Sequence, residues 1–211
     1  MSTYSSFINF NTAGKKSKVF QYKLNNYIQL LESTTVKKHL KNYEKVQSLF
    51  DESEKQFELK FQNISGNKLT LIEKKELIEP LDKILQFNIE VTNALFKKAF
   101  TLFLIHGYQE DSNSSDITLN ESIKIFEELI ISNEPRAFFW LSVIYFTKDK
   151  VNSSINYLRQ LVEIYDKKYV QELINETYFE GFLENPLIRL WYIKNFNQNP
   201  PVRSNPSNHP K

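Results

Sequence analysis

The segment between Ile117 and Lys168 decides the predicted fold. It reads ITLNESIKIFEELI at 117–130, PRAFFWLSVIYFTKDK at 135–150 and VNSSINYLRQLVEIYDKK at 151–168. Each stretch is long enough for a helix, and large and small residues recur in it at helical intervals. Ser142 and Ser154 are expected where two helices meet, because only small side chains let helix backbones approach closely. The seam on either side is expected to be filled by Leu141, Tyr145, Leu158 and Leu161.

This spacing resembles a tetratricopeptide unit. The matching positions, in chain order, are Phe138, Leu141, Ser142, Tyr145, Ser154, Leu158 and Asp166. An upstream match, Ile125 to Leu129 and then Ala137, resembles the Sel1-like variant, in which one unit runs through a short turn into the next. The resemblance covers about residues 118–168 and implies a short right-handed array of helix pairs. The alternative is an irregular helical bundle that contains one hairpin of similar spacing.

The chain departs from the usual repeat at four of these positions. Tryptophan, glycine, alanine and proline are replaced, in that order, by Phe138, Ser142, Ser154 and Asp166. The large and small character of the positions is kept, except at the closing turn.

Composition predicts an all-α protein. Among 211 residues there are 4 glycines and 7 prolines, too few for the many turns of a sheet protein. The formal net charge of +2 gives no overall field that would gather nucleic acid. The absence of cysteine excludes disulfides and thiol catalysis. No apolar run is long enough for a transmembrane helix, so no membrane association is expected.

Four regions are predicted along the chain. They are a flexible arm at 1–18, a helical region with a long antiparallel hairpin at 19–107, the repeat-like helices and a capping helix at 108–196, and a disordered tail rich in Pro and Asn at 197–211. The first hairpin arm runs from Val36 to Ile64, and a Thr70-x-x-Glu73 capping box opens the second. The second arm is expected to continue to Ile105, kinked or restarted at Pro80.

The N-terminal region bears on localisation. No acidic residue precedes Glu32, whereas several lysines do, which resembles a mitochondrial import signal only weakly. A cytoplasmic protein is therefore expected, with mitochondrial import as the minor alternative.

The sequence carries no recognisable constellation for catalysis. His39, His106 and His209 have no partners at metal-ligand spacing, and no nucleophile or phosphate-binding motif occurs. We therefore expect neither an enzyme, nor a metal site, nor a cofactor.

The repeat resemblance implies a binding face on the inner helix of the pair. Carried onto this chain, that face consists of Arg136, Phe139, Val143, Phe146 and Thr147. Arginine and aromatic side chains are good anchors for a partner protein. The alternative is that Phe139, Trp140 and Phe146 pack against neighbouring helices.

The leading functional prediction is a non-catalytic protein-interaction module, either an adaptor or a subunit of a larger assembly. One alternative is an inhibitor of the immunity-protein type that occludes a partner protein. Another is a nucleic-acid binder that uses the basic strip Lys37, Lys38, Lys41 and Lys45, although these lysines are more typical of a solvated helix face. The identity of the partner protein and the oligomeric state are not specified by the sequence.

Overall fold

A computed structural model describes residues 34–62, 69–108, 112–177, 179 and 181–201. All regular secondary structure in this part of the chain is α-helical, as predicted. The predicted arm at 1–18 and most of the predicted tail lie outside the described residues. The chain divides into two compact units, Met1–Ser48 and Leu49–Lys211.

Eight helices are present in the described ranges. They are α1 (Thr34–Gln62), α2 (Leu71–Leu85), α3 (Val91–Gly107), α4 (Ser112–Ile131), α5 (Pro135–Thr147), α6 (Val151–Ile164), α7 (Lys167–Glu176) and α8 (Pro186–Phe196). α1 starts close to its predicted residue, and the predicted capping box opens α2. The Thr70 hydroxyl accepts from the Glu73 N–H, and the Glu73 carboxylate accepts from the Thr70 N–H at 2.9 Å.

The second arm of the predicted hairpin is two helices and not one, which corrects the sequence-based prediction. The chain continues helically through Pro80 and breaks later, between α2 and α3. Asn88 and Glu90 both have φ of 53°, a left-handed conformation that ends a helix and that asparagine tolerates better than most residues. α3 then returns along α2, and the Leu69 N–H donates to the Tyr108 carbonyl at 2.8 Å. The two helices form a short antiparallel pair.

The C-terminal part of α1 lies against this pair. Lys60 forms ion pairs with Glu73 at 3.4 Å and with Glu76 at 3.0 Å. Further along, the ring centroids of Phe57 and Phe100 are 6.3 Å apart. An ionic contact at α2 and an aromatic contact at α3 therefore fix the end of the long helix.

One buried cluster runs from α3 to α8 and includes the repeat-like segment. α3 packs mainly on α4, and α5 mainly on α6. Ser142 and Ser154 are fully buried, and their hydroxyl oxygens lie 2.9 Å apart. The prediction that two small residues mark the α5–α6 crossing is confirmed. Pairwise helix packing of this kind is compatible with a helical repeat.

The capping helix α8 begins with a side-chain cap. The Asn185 side chain accepts from the N–H groups of Leu187 and Ile188. Ile188, Trp191 and Tyr192 are buried, whereas Leu187 and Leu190 are exposed.

Candidate functional site

The five residues predicted to bind a partner lie along one side of α5, but their exposure differs. Arg136, at the start of α5, is partly exposed and held by its neighbours. Its Nε donates to Glu134 Oε1 at 2.6 Å, its Nη2 donates to Asn93 Oδ1 at 3.0 Å, and its guanidinium lies 4.1 Å from the Phe96 ring centroid. Thr147, at the other end, is exposed, and its hydroxyl donates to the Ile144 carbonyl at 2.8 Å.

The middle of this face is covered by the chain itself. Phe139 and Val143 are buried, with 1% and 0% of their surface exposed. The Phe182 ring, from the segment between α7 and α8, lies 5.6 Å from Phe139 and 5.4 Å from Phe146. A partner could reach Phe139 and Val143 only after Phe182 had moved, so partner binding at this face stays a prediction.

The predicted basic strip lies in the first unit, on α1. Lys38, Lys41 and Lys45 are exposed, and Lys37 belongs to the same helix. Exposure is expected both for a nucleic-acid contact and for a solvated helix face, so the role of this strip stays a prediction too.

A serine and a histidine come together at the start of α4. The Ser115 hydroxyl lies 2.6 Å from His106 Nδ1 and donates to the His106 carbonyl at 2.9 Å. His106 Nδ1 also lies 3.1 Å from the Ser115 carbonyl oxygen, which can only accept a hydrogen bond. These contacts fit the tautomer of His106 that carries its proton on Nδ1. The pair ties α3 to α4.

A groove of about 590 Å³ lies between α4 and α6, both of which pack against α5. It is on a different side of α5 from Phe139 and Phe146. The lining residues are Glu127 and Ile130 on α4, Tyr145 on α5, and Asn152, Ser153, Asn156, Tyr157 and Gln160 on α6. Amides, hydroxyls and phenols thus dominate it, with a single carboxylate.

Three amides form a row along α6. Asn152, Asn156 and Gln160 follow one another at intervals of four residues, so they lie on one helix face about 6 Å apart. The opposite face of α6 carries Ser154 and Leu158, which are buried. Within the described part of the chain, the three side-chain amides make no hydrogen bond. Their donors and acceptors are open to the groove.

Two tyrosines join α5 to α6 beside this row. The ring centroids of Tyr145 and Tyr157 are 5.4 Å apart, with the planes inclined by 23°, and both side chains are half-buried. Burial, together with the nearby Tyr145 and the Glu127 carboxylate, raises the pKa of the Tyr157 phenol to about 12. Both effects disfavour the phenolate. At neutral pH the groove therefore presents Tyr157 as an uncharged hydroxyl on an aromatic ring.

The sequence contained a signal for this groove that was not used. On an amphipathic helix the solvent face is usually charged, but α6 places three amides there at regular spacing. Tyr145 was predicted to fill the seam between α5 and α6, and it packs there against Tyr157. Its ring is partly exposed and also lines the groove. The contribution of Glu127 could not be predicted, because it depends on how α4 is placed relative to α6.

Two further searches of the described residues are negative. None of the described helices combines the length and apolar character that a membrane crossing requires. Across the same ranges, no three of the His, Asp and Glu side chains come close enough together to hold a metal ion.

Comparison with known proteins identifies no relative. No protein-family model matches the chain, and neither a curated protein nor a solved structure matches it significantly.

Proposed function

We propose that this protein is a non-catalytic interaction module, an adaptor or a subunit of a larger assembly, which binds an extended segment of a partner polypeptide in the α4–α6 groove. The observation that carries the proposal is the row of open amides at Asn152, Asn156 and Gln160. An asparagine or glutamine amide both donates and accepts hydrogen bonds, as a peptide group does. Each one can therefore pair with a backbone amide whatever the partner's side chain is.

The spacing of the row supports an extended occupant. Successive amides along α6 are separated by about 6.0 Å of helix rise. In an extended chain, backbone groups that point the same way recur every two residues, about 6.7 Å apart. From Asn152 to Gln160 the mismatch accumulates to about 1.4 Å, which rotation of the side chains can absorb. A helical occupant could not pair its backbone with the amide row, because the N–H and C=O groups of a helix already bond to each other.

The helical architecture gives this proposal its setting. The pairing of α3 with α4 and of α5 with α6, together with the Ser142–Ser154 crossing, is what a tetratricopeptide or Sel1-like array would have. We propose that the chain is a short array of that kind. The exposed groove then lies between the second helices of two successive pairs, and the opposite side of α5 is covered by Phe182.

The test is selection of random linear peptides, displayed on phage, against the full chain. We expect enriched peptides to shift the side-chain NH₂ resonances of Asn152 and Asn156 in nitrogen-15 NMR spectra. Asn156→Leu, which keeps the size of the side chain and removes its hydrogen bonds, should weaken binding about tenfold. Gln86→Leu is the matched control, because Gln86 is an exposed amide in the α2–α3 turn.

Two results would contradict the proposal. One is the absence of any enriched peptide. The other is a set of peptides that bind wild type and Asn156→Leu equally well, which would place the binding surface elsewhere.

A further inference from the structure

Glu127 is the charged residue among the eight that line the groove. Its side chain is exposed, and no Lys or Arg of the described residues forms an ion pair with it. Glu127 lines the same groove as Tyr145 and Tyr157. The groove therefore combines a carboxylate with two aromatic rings.

A carboxylate beside a single aromatic ring occurs at two other places in the described chain, and there the chain adds a cation. Arg136 is bonded to Glu134 at 2.6 Å and lies 4.1 Å from the Phe96 ring centroid. Lys97 lies 2.6 Å from Glu54 and 5.6 Å from the Phe50 ring centroid. A cation in such a position is attracted both by the carboxylate and by the negative face of the ring.

We infer that the groove takes a polypeptide segment with a lysine or arginine side chain, whose cationic group lies between Glu127 and the Tyr145–Tyr157 pair. The inference rests on the proposed function and specifies the chemistry of one residue in the bound polypeptide segment. Charge complementarity favours a cation over an anion here, because Glu127 would repel a carboxylate or phosphate. The uncharged phenol oxygens offer further hydrogen-bond acceptors to an ammonium or guanidinium group.

Three capped heptapeptides test the inference on the full chain. The probes are acetyl-Ser-Thr-Ser-Lys-Ser-Thr-Ser-amide and its counterparts with Gln or Glu at the central position. Binding is followed by nitrogen-15 NMR through the backbone and side-chain amide signals of α6. We expect the Lys peptide to bind about 3- to 10-fold more tightly than the Gln peptide, and the Glu peptide to bind most weakly. Added salt should reduce these differences.

Two substitutions in α4 test whether Glu127 causes the difference in affinity between the peptides. Glu127→Gln should reduce the difference between the Lys and Gln peptides to the attraction of the tyrosine rings alone, while the Gln peptide keeps its affinity. Glu128→Gln is the matched control, since Glu128 is the adjacent exposed carboxylate that does not line the groove. It should preserve the order of the three peptides. Far-UV circular dichroism establishes that both variants are folded.

The remaining outcomes separate the inference from the proposed function. Equal binding of all three peptides by the wild-type chain would overturn the cation site and leave the groove as a backbone-binding site. A Lys preference of undiminished size in Glu127→Gln would also overturn it. If no peptide perturbs α6, the proposed function fails and the inference fails with it.

Discussion

Single side chains show where sequence reasoning about this protein succeeds. Ser142 and Ser154 were expected at a helix crossing, and they meet there with their hydroxyls 2.9 Å apart. The prediction worked because the requirement is local and severe: a larger residue at either place would push two backbones apart. Arg136 is partly exposed, and its bonds to Glu134 and Asn93 involve three elements and could not be predicted from spacing.

The Glu134–Arg136 pair gives a pH prediction. Burial alone would raise the pKa of the Glu134 carboxyl, but the hydrogen bonds and charge of Arg136 outweigh burial and hold that pKa below its ordinary value of 4.5. A lowered folded-state pKa means stability that is present above pH 4.5 and lost as the pH falls through the folded pKa. The free energy of unfolding in urea should therefore decrease on acidification, and by less in Glu134→Gln.

Arg136→Met is the sharper control for the same experiment. It keeps an apolar side chain on Phe96 but leaves burial as the main influence on Glu134, so the pKa of Glu134 should rise. The acid-induced loss of stability due to this residue should then disappear. If Arg136→Met retains the wild-type pH dependence, the pair is not its cause.

At the scale of elements, helices were easier to predict than their breaks. The capping box at Thr70 and the start of α8 at Asn185 follow from side chains that bond to nearby N–H groups. The break after α2 was missed because the apolar spacing continues across it. What decides the break is a backbone conformation, with φ of 53° at Asn88, and apolar spacing does not report it.

The left-handed conformation of Asn88 can be tested by comparing the stabilities of two Asn88 variants. Asn88→Gly should match or exceed wild type in the free energy of unfolding, and Asn88→Ala should lose about 1 kcal/mol, because a Cβ disfavours the left-handed conformation. In a continuous helix the order would be reversed, with alanine about 1 kcal/mol better than glycine. Urea denaturation of the two variants distinguishes these cases by the sign of the difference.

At the scale of the whole molecule, the sequence was sufficient to predict the all-α class. It was not sufficient to predict which helix faces pack against each other. Helix content follows from composition and periodicity, whereas the covering of Phe139 by Phe182 depends on a non-helical segment 43 residues further along the chain. The α4–α6 groove has the same origin. It exists because α4 and α6 both pack against α5, and local spacing describes each helix separately.

The shared buried cluster predicts that α5 and α8 open together. Trp140 in α5 and Trp191 in α8 both belong to it. Their backbone amides should exchange with deuterium through a common opening whose free energy falls with urea by the same slope. Native-state hydrogen exchange measures this directly. A lower, urea-independent opening of α8 would show that α8 is a separate, weakly held cap.

The row of amides on α6 has a consequence for how the protein can evolve. Asn152 and Asn156 are exposed, while the packing of the same helix is carried by Ser154, Leu158 and Leu161 on its other side. Surface substitutions of this kind usually change stability by less than about 0.5 kcal/mol. Selection can therefore exchange Asn152 and Asn156 one at a time without threatening the fold. One scaffold could acquire a new partner while its core sequence stays the same.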